Sequence, residues 1–117
     1  MGMKIRVQKA GSATIFEIKG KVESADAIKI NKKLEDFSKG AVPRAIVDLS
    51  AIEFLDSRWL GAFIYSWKLL KEKNKELIFC IPPGFILDLF INANLNRTFT
   101  IVDTIEQAVN FRAVTVG

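Results

Sequence analysis

The chain has no histidine and a single cysteine among its 117 residues. Without imidazole, the usual general base and the commonest metal ligand are both missing, so Ser-His-Asp and Cys-His catalysis are excluded. One thiol builds neither an internal disulfide nor a cysteine-based metal site. That residue, Cys80, stands in the apolar run Leu77-Ile78-Phe79-Cys80-Ile81 and reads as a small buried hydrophobe. An independent enzyme would have to rely on carboxylates such as Glu23, Asp48 and Asp56; no catalytic residue, metal site or cofactor is expected. Nor does any segment approach the roughly 18 continuous apolar residues of a membrane span. Residues Met1 to Arg6 carry no apolar signal region, and Arg6 stands where a myristoylation motif needs Ser or Thr. A soluble, cytosolic protein without membrane insertion is the expectation. Long runs of one charge are absent as well. The 17 Lys and Arg against 13 Asp and Glu leave +4, and the densest basic cluster, Lys68 to Lys75, contains Glu72 and reads as a solvated helix end. Basic and aromatic residues do not interleave on a strand as a stacking platform would need, so no direct nucleic-acid contact is expected.

What the chain does have is enough apolar material, 50% of its residues, for one core. A single domain over residues 1–117 is expected, without linkers, repeats or low-complexity tracts. Lys4 to Gln8 and Thr14 to Lys19 alternate polar and apolar residues, and Ala10-Gly11-Ser12 between them supplies turn chemistry, which reads as an antiparallel hairpin. From Ser24 the period becomes helical, with Ala27, Ile30, Leu34 and Phe37 on one face and Lys39-Gly40 closing it. Ala45 to Leu49 is a short strand. From Ser57 to Lys73 a helix carries the apolar stripe Leu60, Phe63, Ile64, Trp67 and Leu70. Leu77 to Ile81 is a further strand. Past Pro82-Pro83-Gly84, a short helix over Phe85 to Asn94 places Phe85, Leu89 and Phe90 together. A strand over Phe99 to Val102 leads to a helix over Ile105 to Ala113, with Asp103 or Thr104 as its N-cap. The order β-β-α-β-α-β-α-β-α predicts an α/β domain: a mixed, mostly parallel sheet that opens on an antiparallel hairpin and is packed by about four helices.

The stretch Glu53-Phe54-Leu55-Asp56-Ser57-Arg58-Trp59-Leu60-Gly61 interrupts two apolar runs with an Asp-Ser pair where a strand hands over to a helix. One reading is structural: Asp56 caps the orphan amides of the helix, worth about 1 kcal/mol, and Ser57 is a first-turn residue. The other is functional. Ser57 lies beyond the carboxyl end of a buried strand, where open α/β sheets place their sites, and a phosphate there would add roughly −1.5 to −2 charges. The helix N-terminus favours such an anion, whereas the Asp56 carboxylate repels it. On the same helix Arg58, Ala62, Tyr65 and Leu69 fall on an outward stripe, read either as scattered surface hydrophobes or as a protein-binding face beside Ser57. Trp59, at the edge of the core stripe, either plugs the core or covers Ser57.

These segments together resemble the STAS domain family, which includes bacterial anti-sigma factor antagonists. The resemblance spans nearly the whole chain. It is carried by Gly20-Lys21-Val22-Glu23, by Ile46-Val47-Asp48-Leu49-Ser50 with Phe54-Leu55-Asp56-Ser57 and Leu60-Gly61, by Leu77-Ile78-Phe79-Cys80, and by Thr100 to Ala108. It implies that Ser57 is the residue phosphorylated by the partner kinase, that Asp56 orients it, and that Glu23 stands for an Asp common in the loop after the second strand. It further implies an anti-sigma factor as partner, itself a serine kinase that binds the ATP, and a phosphatase that resets the switch, so that sigma-factor-dependent transcription is regulated. Arg58 and Trp59 depart from the family pattern, which has Ser or Thr and then Gly; Arg58 is placed to pair with a phosphate on Ser57. A second reading keeps the fold without the switch, as a module that binds a small apolar ligand through Trp59, Trp67 and Phe residues or serves as a cytosolic subunit of a transport complex.

Overall fold

Strands β1 (Met3–Ala10) and β2 (Ala13–Gly20) pair antiparallel in the computed structural model, which describes residues 2–112. Gly11 opens the two-residue turn between them at φ +61, the left-handed region that primed hairpin turns require. From there the chain alternates as the sequence pattern predicts: α1 (Ala27–Ser38), β3 (Arg44–Asp48), α2 (Ser57–Glu72), β4 (Glu76–Cys80), α3 (Phe85–Asn92), β5 (Thr100–Val102) and α4 (Ile105–Asn110). A 3-10 turn over Ser24–Asp26 precedes α1 and another over Leu95–Arg97 follows α3.

The sheet order is β1-β2-β3-β4-β5, and β2 to β5 are parallel. Successive parallel strands laid down in one direction, with crossovers of one hand, put their connecting helices on one face. The core agrees: Phe16, Ile18, Val47, Leu77 and Phe79 face a layer built from Ile30, Leu34, Trp59, Phe63, Leu70 and Phe90. On the other face Ala13, Ile15, Ile46, Ile78 and Cys80 meet, among the described residues, the short α4 through Ile105, Ala108 and Val109, together with Phe111 just beyond it. Thr104 caps α4 by accepting from the Gln107 amide at 3.1 Å, while Gln107 accepts in return from the Thr104 amide. Arg44 fastens the far end of α4 with bonds to the carbonyls of Ala108, Val109 and Phe111.

Three expectations need correction. The stripe of α2 is rotated: its buried residues are Trp59, Phe63, Ser66 and Leu70, with Leu60, Ile64 and Trp67 half-buried. The cause is α1, which packs beside α2 closely enough for the Asn31 amide to donate to Ala62 O at 2.7 Å and to Ser66 Oγ at 2.8 Å. In α3, Phe85 is 64% exposed and Ile86 takes its place in the core beside Phe90. Finally α4 ends at Asn110, where Phe111 turns to extended backbone; Ala113, the expected end, lies outside the described residues.

Candidate functional site

Asp56 sits at the N-cap of α2 with extended backbone, and its Oδ1 accepts from the Trp59 amide at 3.2 Å. Its Oδ2 accepts the hydroxyl of Ser24. Both oxygens of the carboxylate are therefore engaged, one by its own helix and one by the turn entering α1. The Trp59 indole completes the tie: its Nε1 donates to the carbonyl of Glu23 at 2.9 Å, and the ring is fully buried against Phe63. Trp59 thus plugs the core and leaves Ser57 uncovered.

Glu23 joins this junction through its backbone. Its carbonyl takes the indole proton and the Asp26 amide, and its own amide donates to Asp26 Oδ2 at 3.1 Å. Lys29 pairs with the other oxygen of Asp26 at 2.9 Å. That hydrogen bond from Lys29, with help from the Glu23 amide, holds the Asp26 carboxyl below its ordinary range. Being depressed, this acid favours the fold above the ordinary carboxylate range and ceases to do so as pH falls through its folded value.

Ser57 follows as the first residue of α2, and its side chain is exposed. The first intrahelical bond runs from the Leu60 amide to Asp56 O and the Trp59 amide is capped, so the Ser57 and Arg58 amides are those left at the open end of the helix. Two grooves flank this end. One, of about 740 Å³, lies against Val22, Glu23, Glu53 and the 45%-exposed Phe54. The other, of about 500 Å³, runs between α1 and α2 and is lined by Ala25, Ile28, Arg58, Gly61, Ala62 and Tyr65.

The expected outward stripe is only partly outward. Arg58 is exposed and Tyr65 is 57% exposed, while Ala62 and Leu69 are half-buried. Leu69 is turned inward by the same rotation of α2 that buries Ser66. The apolar counterpart of Tyr65 is instead Ile28 on α1, 59% exposed. Ser24 was legible only as a helix-entrance residue, since its partner Asp56 lies 32 positions away; Asp26 and Ile28 were missed, although the partners of Asp26, Glu23 and Lys29, are each three positions away. Gly61, in the second turn of α2, is the better signal: a Cβ there would meet nothing within 4 Å. Among the described residues no group of His, Cys, Asp and Glu is arranged to hold a metal, and no helix is long and apolar enough to cross a membrane.

The family model of the STAS domain matches residues 4–108. The chain belongs to the STAS domain family. Solved structures agree on the fold at low identity. The Thermotoga maritima protein TM1081 superposes with TM-score 0.80 at 21% identity, covering 89% of this chain and 90% of that one. An anti-sigma factor antagonist from Mycobacterium paratuberculosis gives 0.75 at 20%, covering 92% and 91%. The Bacillus anti-sigma factor antagonist SpoIIAA gives 0.77 at 17% in its unphosphorylated form, covering 92% and 94%, and 0.71 in its phosphorylated form.

Proposed function

We propose that this STAS protein is an anti-sigma factor antagonist: it binds an anti-sigma factor that is also a serine kinase, and phosphorylation of Ser57 ends the complex. The observation that carries this reading is the exposed Ser57 hydroxyl at the open end of α2, beside an apolar groove edged by Ile28 and Tyr65. SpoIIAA, which shares the fold, exists in a phosphorylated and an unphosphorylated form. ATP belongs to the partner, a phosphatase restores the hydroxyl, and sigma-factor-dependent transcription is the output.

The chemistry works through charge. A phosphate on Ser57 would meet the free amides at the helix N-terminus and the guanidinium of Arg58, which favour an anion. Asp56 opposes it, but both oxygens of Asp56 are already taken by the Trp59 amide and Ser24. The modified residue therefore stays within an intact fold, and the added roughly −1.5 to −2 charges act on the docking surface, where a partner would have to desolvate them. Gly61 fits the same surface. A helical glycine costs about 1 kcal/mol relative to Ala, no atom of the described residues comes within 4 Å of a Cβ placed there, and a partner seated close to α2 would use that space.

The reading as an apolar-ligand module has less to rest on. Trp59, Phe63, Phe79 and Phe90 are enclosed in the core, which leaves Phe54 as the aromatic of the larger groove. The test of the switch is affinity for the anti-sigma partner, measured by titration calorimetry. Ser57→Ala is expected to bind as the unmodified chain does, and Ser57→Asp about tenfold more weakly, through like-charge and desolvation cost. Equal affinities would sink the switch.

A further inference from the structure

We propose that the outer edge of β1 is a docking site for an acidic, extended peptide segment of a partner protein, which adds a strand to the sheet there. β1 ends the sheet order, so one side of its eight-residue backbone has no neighbouring strand among the described residues. A free edge of that length is a template for another chain.

The charge on this edge is one-sided. β1 reads Met3-Lys4-Ile5-Arg6-Val7-Gln8-Lys9-Ala10, with three cations and no acid. Lys4, Arg6 and Gln8 share one face of the sheet, and all three are exposed. Across the hairpin Lys4 stands directly opposite Lys19, while Arg6 stands opposite Glu17. A like-charge pair in direct register is destabilising in a sheet. A groove of about 540 Å³ lies at this end, where Lys4, Arg6, Lys19 and Lys21 surround Ile5 and Gly20.

Protection of the edge against aggregation would explain Lys4 or Arg6 on β1 itself. It does not explain Lys19 and Lys21, which belong to the next strand and the loop after it, or the Lys4–Lys19 opposition. An acidic segment relieves that opposition and satisfies the backbone. A second copy of this chain does not fit: pairing β1 with β1 sets Lys4, Arg6 and Lys9 against the same three cations. The site lies on the hairpin: its groove shares Gly20 and Lys21 with the one beside Glu23 and Phe54, but neither Ser57 nor Arg58 lines it, so it does not rest on the switch.

The probe is a fluorescent seven-residue peptide of alternating Glu and Val, titrated against the full chain by anisotropy. The expected result is saturable binding that weakens with added salt and is lost when the central Val is replaced by Pro, which keeps the charge and removes a ladder donor. Lys4→Glu with Lys19→Glu is expected to weaken binding about tenfold or more, with circular dichroism confirming the fold. Lys32→Glu with Lys33→Glu on α1, equal in charge change, is expected to leave it unaltered, as is Ser57→Asp. Equal loss in both double variants, retention by the Pro peptide, or a preference for anionic vesicles or oligonucleotides over the peptide would each overturn the proposal.

Discussion

At the junction of the two helix entrances, Asp56 performs two tasks that a simple cap would not. Replacing it with Ala uncaps the Trp59 amide and strands the Ser24 hydroxyl, so Asp56→Ala is expected to cost about 2 kcal/mol rather than the 1 kcal/mol of an isolated cap; urea denaturation of the variant measures it. Ser24→Ala removes only the second contact and is expected to cost about half as much. The cap itself was legible in the sequence, since Asp before a helical period is a local signal. Its second partner was not. Ser24 precedes Asp56 by 32 residues, and nothing in either segment records which side chain the fold brings to it. Trp59 shows the same limit: the sequence put it at the edge of the core stripe and left open whether it plugs the core or covers Ser57, because the acceptor that draws its indole inward is a backbone carbonyl of another loop.

Among the elements, α2 does the most to connect fold and function. One side carries Trp59, Phe63, Ser66 and Leu70 into the core, and the other carries Arg58, Gly61 and Tyr65 outward. Gly61→Ala is expected to raise stability by about 0.5–1 kcal/mol, because the added methyl gains helix propensity and meets no neighbour among the described residues, while weakening binding of a partner that uses that space. A thermal melt and a binding titration on the same variant read both effects. Tyr65→Asp is expected to weaken partner binding with little loss of thermal stability, and extensive unfolding would instead make Tyr65 part of the core. The alternation of elements was legible throughout, because period-two and helical patterns are separated by Gly20, Gly40 and the Pro82-Pro83-Gly84 break. The rotation of α2 was not, because it depends on how α2 docks against α1, where Asn31 bonds to Ala62 O and Ser66 Oγ from more than thirty residues away. Phe85 misleads for a similar reason: the two turns of a short helix carry Phe85, Ile86, Leu89 and Phe90, and the angle of docking selects which of them is enclosed.

At the scale of the whole molecule, the described residues cover the two faces of the sheet unequally, and the thinner side holds a reporter. Cys80 lies beneath α4, 2% exposed. Burial, reinforced by the nearby carboxylates of Asp48 and Asp103, pushes its thiol up to about 11. The thiol is raised in the fold, so its contribution is fully present below the ordinary thiol range near pH 9 and is lost as pH rises toward 11. Melting temperatures of the native chain and of Cys80→Ala, followed across that window, are expected to converge from the native side. Arg44→Ala should loosen α4 and speed alkylation of Cys80 by a small thiol reagent. The claim on which the functional account depends is modification at one hydroxyl. The most direct test is intact-mass and phosphopeptide analysis after incubation of the chain with ATP and the serine-kinase anti-sigma factors of its own genome. A single phosphate on Ser57 is the predicted result. No phosphate with any active kinase, or one placed elsewhere, would contradict the account and return the Asp56-Ser57 turn to a purely capping role.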